Sequence, residues 1–107
     1  MSETKAYRPS YESLAVHDDL KTETAKLRIL AESIDMEATS HRHATPAARH
    51  HLMWAAEQVR SWADDAQLIT DTGDGLDKRT ALDTAMMRRA IAQGFLHAWR
   101  GPLGATE

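Results

Sequence analysis

Residues 45–69 read TPAARHHLMWAAEQVRSWADDAQLI, and this stretch decides the fold. Thr45-Pro46 is a helix start: the threonine hydroxyl can accept from the free amides of a first turn, and proline at the first helical position loses no hydrogen bond. From there Ala48, Leu52, Ala55, Val59, Trp62, Ala66 and Ile69 recur at alternating spacings of four and three. That seam belongs to a helix packed on another helix at a shallow angle, and its alanines let the neighbour approach closely. The spacing predicts a helix over about 46–69.

Working outward, residues 11–38 carry a second helical pattern, with Ser10 as its expected cap. Leu20, Leu27 and Ile34 recur at sevens, and Val16, Leu30 and Ala31 widen the stripe. Asp18, Asp19, Glu23, Glu32, Asp35 and Glu37 fall mostly outside it and are expected on a solvated face. Downstream, TDTGDGLDK at residues 70–78 reads as turn chemistry, and a third helix is expected over about 81–99, ending before Gly101-Pro102. The apolar residues of this third helix do not form one stripe. Leu82, Ala85, Ala92, Leu96 and Trp99 cluster on one side and Met87, Ile91, Gly94 and Ala98 on another, with Phe95 between, so it is expected to touch neighbours on two sides.

The fold class that follows is all-α: one domain over residues 1–107, a three-helix bundle with a long antiparallel α-hairpin, completed by dimerisation, with flexible ends at 1–9 and 101–107. Composition agrees with that. Hydrophobic residues make up 42% and aromatic residues 6% of 107, so the apolar total leans on alanine and the core is thin. A chain this short buries only about two-thirds of its unfolded surface, which makes a second copy a natural source of stability.

Several chemistries drop out early. There is no cysteine, which removes disulfides, zinc-thiolate sites and thiol nucleophiles. No apolar run approaches a membrane span, and residues 1–13 have no leader-like apolar region, so the chain is read as cytoplasmic with no membrane partner. Asparagine is absent and alanine and arginine are plentiful, as in the coding sequences of GC-rich bacteria and their phages. The formal charge of −3 argues against nucleic-acid binding by bulk charge. Its distribution is uneven: residues 1–40 hold eight acids and five bases, whereas residues 78–107 hold five bases (Lys78, Arg79, Arg88, Arg89, Arg100) and two acids. A nucleic-acid-associated regulator using this basic third helix is one alternative. Salt bridges to the acidic first helix are the simpler use of those arginines.

Four of the six histidines lie within eleven residues: His41, His43, His50 and His51. Crowded imidazoles can hold nickel, copper or zinc, which makes a His-rich metal-binding protein the other alternative. Adjacent His50 and His51 point about 100° apart on a helix, and neither an HExxH nor a di-iron ExxH pattern is present. Arg49, His50 and His51 at the start of helix 2, and Asp64-Asp65 towards its end, both oppose the helix dipole. Pairing with Glu32, Asp35 and Glu37, and with Lys78-Arg79, is expected to compensate.

Ser40-His41-Arg42-His43-Ala44-Thr45-Pro46 resembles, at four positions, the S-H-x-x-x-T-P box of histidine-kinase phosphoacceptor helices. The chain departs from that family at Arg42, where an acid is usual, and at Ala47, where leucine is. The likeness spans seven residues, and a phosphorylated His41 is all that it implies. The aspartate-rich turn is not a calcium loop, because with Gly75 as the fixed glycine the ligand positions fall on Thr70, Thr72 and Ala81. His17-Asp18 stands isolated, and Glu32 with Asp35 is a lone acid pair where a helical pyrophosphohydrolase needs two motifs. No phosphate loop or nucleophile elbow appears, and no cofactor is implied.

What these residues favour is a helical protein-protein interaction module acting as regulator, adaptor or inhibitor of a protein partner. Arg49, Met53, Trp54, Met87, Ile91 and Phe95 are the candidate partner-binding residues. Met53 falls nearly opposite the helix 2 seam. Trp54 lies about 80° around the helix from Trp62, so packing that buries Trp62 leaves Trp54 at its margin.

Overall fold

The computed structural model describes residues 11–40 and 45–101. These residues form three helices, α1 (Tyr11–Ala38), α2 (Pro46–Thr72) and α3 (Gly75–Arg100), packed against one another, and contain no strand. Ser10 lies outside the described residues.

Along α1 the sevenfold repeat becomes the centre of the core. Leu20, Leu27, Ala31 and Ile34 are fully buried, with Val16 and Ala38 at either end. On α2 the Thr45 hydroxyl accepts from the Ala48 amide at 3.2 Å, and Pro46 opens the helix. Leu52, Ala55, Val59 and Ala66 of the seam are buried, while Trp62 and Ile69 are half-buried against the same core. α3 contributes Leu82, Ala85, Ala92 and Leu96. Among the described residues, five of the sixteen buried apolar residues are leucine and eight are alanine, which explains how thin the core is. Both α2 and α3 pack more extensively on α1 than on each other.

The segment read as a long turn is mostly helix. α2 runs on to Thr72, and α3 begins at Gly75, six residues ahead of the expected start. Only Gly73 and Asp74 connect them. Asp74 takes an extended backbone and its carboxylate accepts from the Asp77 amide at 2.9 Å, so Asp74 caps the helix and Asp77 is the acid of its first turn. Gly73 is required by space. Its amide donates to the Ile69 carbonyl at 2.8 Å, and an added Cβ would lie 2.8 Å from that same oxygen.

The acids of α1 give a second correction. Glu23 and Glu37, expected on a solvated face, are buried. The Arg89 guanidinium donates to Glu23, and that of Arg100 donates to Glu37 at 3.3 Å, so the basic third helix is bound by charge to the acidic first one. Lys26 adds a 3.6 Å pair to Glu23. Buried carboxylates need such partners, because an uncompensated charge away from water is strongly unfavourable. Thr24 and Thr70 are also buried, and each satisfies its hydroxyl on the carbonyl four residues earlier.

Between α1 and α2, Arg28 pairs with Asp64 at 3.0 Å and Arg60 with Asp35. Residue numbers therefore fall along α2 as they rise along α1, whereas the Glu23–Arg89 and Glu37–Arg100 pairs rise together. Asp64 and Asp65 find Arg28 and Arg88 in place of the expected Lys78 and Arg79. With α2 extended to Thr72 they sit about two turns from its end. The Arg60 guanidinium is held above its ordinary pKa chiefly by its hydrogen bond to Asp35, with the charges of Asp35 and Glu57 adding to the effect and burial opposing it.

Candidate surface on the second and third helices

α2 and α3 lean on α1 more than on each other, and a groove opens between them that three of the exposed large apolar side chains, Trp54, Leu76 and Ile91, line. At one end Trp54, Val59 and Trp62 of α2 face Ile91 and Phe95 of α3 across a hollow of about 330 Å³. Trp54 is 56% and Ile91 54% exposed. At the other end Ile69 of α2 and Leu76, Thr80, Ala81 and Thr84 of α3 line a hollow of about 390 Å³.

Trp62 borders both hollows, and Arg88 borders the second. The Arg88 guanidinium lies 5.3 Å from the Trp62 ring centroid and 3.6 Å from the Asp65 carboxylate. A guanidinium over an indole face is attracted by the ring quadrupole, so Arg88 ties α3 to α2 midway along the groove.

At the Trp54 end four rings cluster. His51 stacks on Trp54 with centroids 6.0 Å apart and planes at 23°, and it meets Phe95 at 5.6 Å and Trp99 at 5.9 Å. Phe95 and Trp99 lie 6.2 Å apart. Two helices are thus joined through aromatic contacts, with the outer face of Trp54 left to solvent. The preference of ring pairs for tilted or offset contact is satisfied throughout.

The six candidate residues divide between two places. Trp54, Ile91 and Phe95 share the groove, and Met87, 58% exposed, lies one turn before Ile91 on α3. Arg49 and Met53 instead line a separate hollow of about 520 Å³ with Asp35, Met36, Ala38 and Thr39, where α1 ends beside the start of α2. Of the four histidines, His41 and His43 lie outside the described residues. His50 is exposed, and His51 belongs to the ring cluster. Among the described residues no group of three or more His, Cys, Asp or Glu side chains is placed to hold a metal ion, and no helix is long and apolar enough to cross a membrane.

Sequence reasoning missed the roles of His51, Arg88 and Trp99 in this surface. The unstriped wheel of α3 was the available signal, since a residue between two apolar sides, such as Phe95, marks a groove edge. Comparison with known proteins adds no further assignment: no family model, curated protein or solved structure matches the chain.

Proposed function

We propose that this chain is a helical interaction module that regulates, adapts or inhibits another protein by occupying part of its surface. In this reading α1 and α2 form an antiparallel hairpin that serves as scaffold, α3 completes the bundle, and self-association covers apolar surface that a lone bundle leaves open. The observation that carries the reading is the convergence of Trp54, Ile91 and Phe95, from two helices, on one apolar groove whose edges remain exposed. Tryptophan and other aromatic residues in a central, well-packed patch are the usual anchors of protein interfaces. Contiguous apolar patches on a small protein are commonly interaction sites. The ion pairs from Arg89 and Arg100 to α1 support the same reading, because they engage the charges that a nucleic-acid surface would need.

The test is affinity capture from the source cells with four baits: wild type, Trp54→Ala, Ile91→Asp, and Ile29→Asp on the exposed side of α1. The expected result is a protein retained by wild type and Ile29→Asp and lost by the two groove variants, all four baits having helical circular dichroism. Equal capture by all four would refute the groove as the working surface.

A further inference from the structure

We infer that the groove between α2 and α3 is covered by a second copy of this chain, related by a two-fold axis passing close to Arg88 and Asp65. This rests on the interaction reading above and names the occupant of its surface.

A two-fold contact brings the same patch of both copies together, so the patch must complement itself. The α2–α3 face does so in shape and in charge. Each end is a hollow with apolar side chains standing more than half out of the surface at its edge, Trp54 and Ile91 at one end and Leu76 at the other. Between Leu76 and the midpoint, the small side chains of Thr80, Ala81 and Thr84 leave the second hollow open. At the midpoint lie one positive group, Arg88, and one negative group, Asp65, with side chains 30% and 66% exposed. A half-turn about this midpoint sets the Trp54 end of each copy over the Leu76 end of the other, so that Trp54 and Ile91 face one hollow and Leu76 faces the other. It also sets each Arg88 against the other copy's Asp65. With the axis at Arg88, Phe95 of one copy falls level with residue 81 of the other, an alanine with room beside it.

The size of the face fits a reversible dimer. From Trp54 to Ile69 on α2 is about 22 Å at 1.5 Å per residue, and two helix diameters give a width of roughly 20 Å. The projected area is on the order of 450 Å², which a corrugated surface exceeds, against about 800 Å² per partner in a standard stable complex. Association in the micromolar range is therefore expected.

Sedimentation velocity from 5 to 200 µM tests the proposal. Wild type is expected to move from the 11.9 kDa monomer towards twice that mass over this range. Arg88→Glu and Asp65→Arg each place like charges across the axis and are expected to weaken association about tenfold or more. An equimolar mixture of the two is expected to recover it, because Glu at 88 then meets Arg at 65, and Asp65 meets Arg88, between chains. Within each variant chain the 88–65 contact stays like-charged in the mixture, so recovery reports only pairing between chains. Ile91→Asp, which alters the Trp54 end without touching either charge, is expected to be monomeric. Three results would each overturn the proposal: wild type at monomer mass throughout, variants that dimerise as wild type does, or a mixture no stronger than its components. None of these bears on the bait comparison, which decides separately whether the groove serves another protein.

Discussion

Leu27 sits midway along α1, fully buried where that helix is held by both of its neighbours, so Leu27→Ala measures how far the fold depends on α1. The substitution removes three carbons, a transfer loss of about 2.4 kcal/mol at ~0.8 kcal/mol each. A cavity adds to this, because walls fixed on two sides collapse poorly, and the expected total is about 3–4 kcal/mol. Set against the ~5–15 kcal/mol of a whole small domain, one side chain then accounts for a large share of stability. Ile29, two residues away, is 63% exposed, and Ile29→Ala should change stability by no more than about 0.5 kcal/mol. Urea unfolding followed by circular dichroism at 222 nm, at a few micromolar where self-association contributes little, gives both values with a common m-value. Equal losses for the two variants, or a loss under about 1 kcal/mol for Leu27→Ala, would refute the register assigned to α1.

Asp74→Ala should lower stability by about 1 kcal/mol through loss of the α3 cap, and an unchanged urea midpoint would return the helix start towards Thr80. Gly94 has no atom within 4 Å of a built Cβ, so Gly94→Ala should stabilise α3 by about 0.5–1 kcal/mol in the same assay at low concentration. Arg89→Met leaves Glu23 buried with only Lys26 near it and should lose about 1–3 kcal/mol, whereas Glu23→Met with Arg89→Met should recover part of that. A double variant that loses the sum of the two single losses would show the pair to be uncoupled.

The helical fold was legible because burial follows spacing: Leu20, Leu27 and Ile34 on α1 and Leu52, Ala55, Val59 and Ala66 on α2 stand where the period puts them. The start of α3 was hidden because glycine and aspartate serve turns and helix caps alike, and GDG at 73–75 contains both signals. The burial of Glu23 and Glu37 was hidden for a different reason. Their partners lie 66 and 63 residues away, and an amphipathic pattern on one helix cannot register a guanidinium supplied by another. The same limit applies to the surface. A wheel places Trp54 at the margin of α2 and Ile91 on the second apolar side of α3, but only the packing of both helices on α1 brings the two into one groove. His51, grouped by sequence with three other imidazoles, gains its ring neighbours Phe95 and Trp99 from the opposite helix.

Hydroxyl-radical footprinting reads whether the α2–α3 face is covered, through the most oxidisable side chains. Trp54, Met87, Met53 and Met36 are 56%, 58%, 55% and 71% exposed in the single chain, so on exposure alone each is open to attack. At 200 µM Trp54 and Met87 are expected to be protected relative to their 5 µM values while Met53 and Met36 are not, and Ile91→Asp is expected to abolish the protection. Oxidation of Trp54 and Met87 that is independent of concentration and of Ile91→Asp, or protection confined to Met36 and Met53, would contradict that coverage.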